Sequence, residues 1–91
     1  MLGLTIDNIV IKSRLNSLRS YPNPCRDVLH IKGGETIHMI DIFDQIGRLI
    51  LQRSSQENHV CIPVSNLANG IYFARIHHAE KSEYIRFIKT R

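Results

Sequence analysis

Apolar and polar residues alternate along most of the chain, which is the pattern of β-strands that bury one face. In the stretch "YPNPCRDVLHIK", Leu29 and Ile31 share one face of a predicted strand, while the residues beside them point to the other face. No segment has the period of an amphipathic helix. The pattern therefore predicts an all-β domain.

Seven short strands follow from this alternation. They are a short strand ending at Tyr21, then Val28–Lys32, Thr36–Phe43, Arg48–Arg53, His59–Pro63, Ile71–His77 and Ser82–Thr90. Gly33-Gly34 and the polar segment Ser54–Asn58 are predicted to interrupt the strands. Short strands with turn residues between them predict an antiparallel β-sandwich.

The alternation also predicts which side chains fill the core of this sandwich. We expect most of the buried surface to come from Val28, Leu29, Ile31, Ile40, Ile42, Leu49, Ile62, Leu67, Tyr72, Ile76, Ile85 and Phe87.

Two turns have recognisable chemistry. Asp44-Gln45-Ile46-Gly47 fits a type I turn, with aspartate at the first position and glycine at the fourth, and predicts a hairpin. Leu67-x-x-Gly70-x-Tyr72 fits the tyrosine corner of Greek-key sandwiches, in which the hydroxyl binds nearby backbone. A plain core tyrosine is the alternative, and Tyr72 is structural in both.

The entry to the strand at Val28 is unusually rich in proline. Pro22 and Pro24 fix φ and lack a backbone donor, and Asn23 precedes a proline, so a helix is excluded. Asp27 is expected to accept hydrogen bonds from nearby amides. The segment is predicted to be a stiff, extended entry into a half-buried strand.

Composition excludes several classes of protein. The chain has 91 residues, 43% of them hydrophobic, which is enough for one domain with a modest core. No apolar run approaches the roughly 20 residues of a membrane span. The net charge of +4 is scattered along the chain and forms no basic cluster with aromatic residues, which argues against nucleic-acid binding. Met1–Leu4 lacks the basic region of a signal peptide, so if the native protein is exported, its true N-terminus is expected to lie outside this sequence.

Candidate catalytic and metal-binding residues do not form a known motif. Cys25 and Cys61 permit one disulfide, and Cys61, in an apolar strand, is predicted to be buried. The five histidines lack the spacing of a structural zinc site. Ser65, Asp41 and a histidine could be combined on paper, but no nucleophile motif is present. We predict no enzyme activity, no metal and no cofactor.

Four motifs in order, "YPNPCRDVLHI", "IDIFDQIGRLI", "IPVSNLANGIYFARI" and "YIRFIKTR", resemble the type A C-terminal sorting domain of the type IX secretion system. The resemblance runs from about Leu18 to Arg91. It implies an immunoglobulin-like, seven-stranded antiparallel β-sandwich at the end of cargo proteins from Bacteroidota. Such a domain is a non-catalytic secretion signal.

The resemblance also implies partners and a location. Outer-membrane export machinery recognises the domain, and a sortase of the cysteine-protease type then removes it. The cargo would pass through the periplasm and end on the cell surface or be secreted. A generic surface-adhesion or carbohydrate-binding β-sandwich is the alternative, but the sequence has no tryptophan to serve as a sugar platform.

Carried over by position, the family signature falls on Pro22, Asn23, Pro24, Asp27, Asp44, Gly47, Leu67, Gly70 and Tyr72. Candidate residues for recognition by the export machinery are Arg86, Lys89 and Arg91. The candidate cleavage linker consists of Ser13, Arg14, Leu15, Asn16, Ser17, Leu18, Arg19 and Ser20. Cys25 departs from the small or polar residue that is usual in the family.

The chain is predicted to divide into a remnant of a preceding cargo domain (1–12), a linker (13–17) and the sorting domain (18–91). Thr5–Lys12 is apolar on both faces. It is expected to pair with an edge strand or to exchange with another copy in a strand-swapped homodimer.

Overall fold

The computed structural model describes residues 18–91, so Thr5–Lys12, its expected strand exchange and residues 13–17 lie outside the described part of the chain. Within residues 18–91 there are five strands: β1 (Arg19–Tyr21), β2 (Val28–Asp44), β3 (Leu49–Pro63), β4 (Gly70–His77) and β5 (Ser82–Lys89). In this range no helix is long and apolar enough to cross a membrane.

The all-β, antiparallel class is confirmed, but these residues form five strands rather than the expected seven. Gly33-Gly34 and Ser54–Asn58 lie inside β2 and β3 instead of ending strands. The register between β2 and β3 shifts between Lys32 and Met39. Such shifts accommodate extra residues while backbone pairing continues, so the turn residues bend two long strands without breaking them.

The bent hairpin of β2 and β3 pairs with other strands at both of its ends. Its open end pairs with β1, with Tyr21 opposite His30. Its turn end pairs with β4, where Ile42 lies opposite Ala74, and β4 pairs in turn with β5. All of these pairings are antiparallel, and the strand order is β1-β2-β4-β5 with β3 on the other side of β2.

The core is one cluster that receives side chains from both halves of the hairpin and from β4 and β5. Eight predicted members are buried: Leu29, Ile31, Ile40, Ile42, Ile62, Tyr72, Ile76 and Phe87. Leu67 and Ile85 are half-buried against them. The alternation therefore identified most of the core correctly.

Two predicted core residues are wrong, and five buried apolar residues were missed: Cys25, Ile37, Val60, Val64 and Ala74. Val28 is 37% exposed and Leu49 is 51% exposed, because each lies on the outer face of its strand. Three of them, Cys25, Ile37 and Val64, lie in the entry segment, at the bend of β2 and just beyond β3. Irregular backbone gives no alternation from which their burial could be predicted.

Glycines are favoured by the local structure at two places. A Cβ at Gly33 would meet the Leu18 side chain at 3.2 Å, so glycine lets Leu18 pack close to the bend. Gly47 has φ of 91° in the β2–β3 turn, a conformation that favours glycine. Its N–H donates to the Asp44 carbonyl at 3.0 Å, which is the contact expected of the predicted turn. The Asp44 carboxylate also accepts from the Arg48 N–H at 2.9 Å.

Tyr72 makes the contact expected of a tyrosine corner. Its hydroxyl donates to the Ala68 carbonyl at 2.7 Å, and its ring stacks on that of Phe87 with 5.5 Å between centroids. The residue is 7% exposed. Tyr72 therefore fixes the loop before β4 and fills the core at the same time.

Candidate recognition edge and the segment that closes it

The proline-rich entry segment lies against the C-terminal strand β5. The Cys25 N–H donates to the Ile88 carbonyl at 2.9 Å, and the Thr90 N–H donates to the Cys25 carbonyl at 2.8 Å. Cys25 and Lys89 thereby form an isolated parallel bridge. These backbone hydrogen bonds join the first and last parts of the described chain. We call this contact between the entry segment and the end of β5 the closure.

Asn23 extends this closure with its side chain. Its Oδ1 accepts a hydrogen bond from the Ile88 N–H at 3.0 Å. The Tyr21–Pro22 and Asn23–Pro24 peptide bonds are both cis. Since neither proline has an N–H, the segment offers few free donors while Asn23 and Cys25 satisfy the strand beside it.

Asp27 acts differently from the prediction. The contact it makes is through its backbone carbonyl, which accepts from the Val64 N–H at 2.8 Å. This bond ties the start of β2 to the residue after β3 and helps to bury Val64.

The far end of β5 is therefore covered by the entry segment. Ile88 directs its N–H and carbonyl away from β4, and in an antiparallel pair every second residue does the same. Tyr84 and Arg86 share this orientation, and no strand within residues 18–91 pairs with that side of β5. The free edge is Ser82–Arg86, which we call the open edge.

The three candidate recognition residues separate in the structure. Arg86 is exposed on the open edge and Arg91 is exposed at the end of the chain. Lys89 is only 6% exposed, and its Nζ donates to the Thr90 carbonyl at 3.1 Å. An open groove of about 390 Å³ lies there, lined by Ser65, Leu67, Ala68, Asn69, Lys89 and Arg91.

Aromatic side chains lie next to the open edge on the outer face of the sheet. Phe73, opposite Arg86, is 38% exposed, and Tyr84 is 64% exposed. Arg75 lies between them, with a nitrogen 3.4 Å from the Tyr84 hydroxyl and its guanidinium 5.7 Å from the centre of the Phe43 ring. This face combines apolar surface with positive charge.

On the same face of the sheet, the buried carboxylate of Asp41 holds three neighbouring side chains by hydrogen bonds. Asp41 is 3% exposed and accepts hydrogen bonds from Gln52 at 2.8 Å and from Arg75 at 3.4 Å. The Nε2 of His77 lies 2.8 Å from its second oxygen. Burial acts to raise the pKa of Asp41, but the hydrogen bonds, that of His77 foremost, outweigh it and hold the pKa below its ordinary value.

Asp41 is therefore expected to make stability depend on acid pH. Its carboxylate stabilises the fold at any pH above the unfolded-state pKa, about 3.9 for a free aspartate, and this contribution disappears as the pH falls through the lower folded-state pKa. Urea unfolding of wild type and Asp41→Asn should differ most near neutral pH and converge in acid. Asp27→Asn, which removes an exposed carboxyl, controls for net charge. A gap that stays constant with pH would contradict this role.

The two cysteines are free, and the predicted burial of Cys61 is wrong. Cys61 is exposed on the outer face of β3, whereas Cys25 is fully buried. Burial raises the pKa of the Cys25 thiol. Its Sγ lies 3.6 Å from the Ile88 carbonyl, so in this chain the unusual cysteine packs into the closure.

The last part of the candidate linker is folded. Arg19 and Ser20 belong to β1, with Arg19 opposite Lys32, and Leu18 packs against the core. Backbone that is paired and packed is a poor protease substrate. These three residues therefore form part of the folded domain.

Sequence reasoning missed the contact between Asn23 and Ile88 because the two residues are 65 positions apart. It also missed the Asp41 network, whose members come from three strands. One signal for the latter was available, since Asp41 alternates with Ile40 and Ile42 and therefore lies on the face opposite the core.

Comparison with known proteins identifies the family. The model of the secretion system C-terminal sorting domain matches residues 19–90, and the chain belongs to this family. Membership of this family supports a role as a secretion signal. A search of curated proteins found no match.

One solved structure shows the same architecture. PorZ, described as an essential bacterial surface component of the type-IX secretion system of Porphyromonas gingivalis, is 30% identical and matches 87% of this chain with a TM-score of 0.71. The chain spans only 12% of the PorZ chain, so the likeness concerns a small part of that protein.

Proposed function

We propose that this domain is a non-catalytic address that directs an attached cargo protein through the type IX secretion system. The cargo passes through the periplasm, crosses the outer membrane, and is released or attached to the surface after a sortase-like protease removes the domain. Membership of the sorting-domain family supports the signal role.

The single observation that supports a recognition mechanism is that, within residues 18–91, only one end of the outer edge of β5 is covered by other parts of the chain. Asn23 and Cys25 cover the end of β5 at Ile88, whereas the open edge keeps its outward N–H and carbonyl groups. An exposed edge can accept a strand from another protein through main-chain hydrogen bonds. We assign recognition by the export machinery to this edge.

Charge around the edge fits the same role. Arg86 lies on the open edge itself, and Arg91 is exposed beyond it. Positive charge beside a docking strand speeds encounter with an acidic surface. Lys89 lines the groove beside Arg91 but is buried, so it offers little of its charge to a partner.

Cleavage is proposed to occur at residues 13–17, ahead of Leu18, which packs against the core. A protease needs backbone that can leave the fold, and β1 is held by its pairing with β2. The two halves of the β2–β3 hairpin are proposed to supply the paired layers of the immunoglobulin-like sandwich that the family resemblance implies.

An export experiment tests the open edge. A periplasmic reporter is fused ahead of residue 13 and produced in a cell with a working type IX system. The wild-type fusion should appear outside the cell and be clipped near residues 13–17. Arg86→Pro should retain the reporter in the periplasm, because proline removes the outward N–H of the edge without breaking a bond to β4.

The matched control is Arg86→Ala, which removes the charge but keeps the edge amide. It should slow export without abolishing it, and thermal unfolding of the purified domains should show that both variants fold. If the folded Arg86→Pro variant is exported as well as wild type, the edge is not the recognition surface. If the wild-type fusion stays inside the cell, the chain is not a sufficient address.

A further inference from the structure

Three side chains with metal-binding atoms converge on the outer face of the layer formed by β1 and the open end of the β2–β3 hairpin. They are His30, His59 and Cys61, whose ligand atoms all lie within 4.8 Å of one another. His30 Nδ1 is 3.2 Å from His59 Nε2 and 3.2 Å from Cys61 Sγ. The remaining pair, Cys61 Sγ and His59 Nε2, is 4.0 Å apart.

Strand geometry explains this convergence. His59 and Cys61 are two residues apart on β3, so their side chains share a face. Cys61 lies directly opposite His30 in the antiparallel pairing of β2 with β3. Sequence spacing alone could not show the site, because the third side chain comes from another strand and the register brings it there.

Tyr21 orients the cluster from the neighbouring strand. It lies opposite His30 in the pairing of β1 with β2, and the two rings stack with 5.0 Å between centroids and 10° between planes. Its hydroxyl lies 3.4 Å from His59 Nε2. Stacking restricts the rotation of the His30 ring and keeps Nδ1 directed at the other two ligand atoms.

The distances fit a tetrahedral metal centre. With Zn–N of about 2.0–2.1 Å and Zn–S of about 2.3 Å, tetrahedral angles put two nitrogens about 3.3 Å apart and nitrogen and sulfur about 3.6 Å apart. The observed separations, 3.2 Å for the nitrogens and 3.2 and 4.0 Å for the sulfur, lie within about half an ångström of these values. Small side-chain rotations would centre an ion among the three atoms.

We propose that His30 Nδ1, His59 Nε2 and Cys61 Sγ bind a Zn²⁺ ion, with the fourth position open to water or to a ligand from another molecule. Two imidazoles and a thiolate suit zinc and contain none of the oxygen ligands that calcium and magnesium require. His59 and Cys61 are exposed, so the ion can enter from solvent. The site is separate from the open edge and does not depend on the sorting function.

Neighbouring charge sets a limit on the affinity. Lys32 lies opposite both His59 and Arg19 in the strand pairings, so two cations share this face with the site. They oppose a divalent ion, although exposure and salt weaken the repulsion. With three protein ligands rather than four, binding is expected to be weaker than at a closed structural zinc site.

Titration of the reduced 91-residue chain tests the site. Isothermal calorimetry with Zn²⁺ should give one ion per chain, and Zn²⁺ should raise the thermal unfolding midpoint because it binds the folded state. Co²⁺, used as a spectroscopic substitute, should give a thiolate-to-cobalt charge-transfer band that EDTA removes. Cys61→Ser should abolish that band and weaken Zn²⁺ binding by at least about tenfold.

Two further variants and one control complete the test. His30→Asn and His59→Asn should each weaken Zn²⁺ binding by at least about tenfold. His38→Asn removes another exposed histidine of β2 and should leave binding unchanged. The proposal is overturned if wild type binds no Zn²⁺, if Cys61→Ser keeps the charge-transfer band, or if His38→Asn lowers the affinity as much as His30→Asn.

Discussion

Tyr72→Ala is expected to lower the free energy of unfolding by about 3 kcal/mol or more, which is typical of large-to-small substitutions in a core. The substitution leaves a cavity against Phe87, on which the ring stacks, and frees the Ala68 carbonyl from its hydrogen bond. Urea unfolding followed by circular dichroism measures the change.

Two variants separate the parts of this effect. Tyr72→Phe keeps the ring and removes only the bond to Ala68, so it should cost about 1 kcal/mol. Tyr84→Ala, at a residue that is 64% exposed, should change stability by less than about 0.5 kcal/mol. A cost for Tyr72→Ala no greater than that of Tyr84→Ala would show that Tyr72 is not part of the core.

The sequence predicted the faces of strands better than their ends. Alternation placed Leu29, Ile31 and Phe87 in the core because burial on one side is itself what generates alternation. Gly33-Gly34 was misread as the end of a strand. Glycine inside a strand also marks a place where the chain bends or another group comes close. Here Leu18 packs close to Gly33, and the strand β2 continues through both glycines.

Contacts between distant parts of the chain could not be predicted from the sequence. The family resemblance drew attention to Asn23 but gave no reason for it, and its bond to Ile88 depends on how the whole sheet closes. The cluster of His30 and Cys61 likewise depends on the register of β2 and β3. Local pattern contains no information on register between strands that are bent and shifted.

Because the closure includes Ile88, deletion of Ile88–Arg91 is expected to lower the stability of the fold. If Ile88–Arg91 only carried the address, its deletion would leave the fold largely intact. In the structure the deletion removes three hydrogen bonds to Asn23 and Cys25 and uncovers the buried thiol of Cys25. At about 0.5–1.5 kcal/mol for each bond, before any loss of burial, the deletion should cost several kcal/mol.

Urea unfolding of the truncated domain measures this cost, with deletion of Arg91 alone and Asn23→Ala as comparisons. Loss of the exposed Arg91 should leave stability within about 0.5 kcal/mol of wild type. Asn23→Ala removes one of the three bonds and should cost about 1 kcal/mol. If the deletion of 88–91 is as mild as the loss of Arg91, the closure does not hold the fold together. If it is severe, a truncated fusion that stays in the periplasm reports a damaged domain, and recognition must be tested by substitutions such as Arg86→Pro that leave the closure in place.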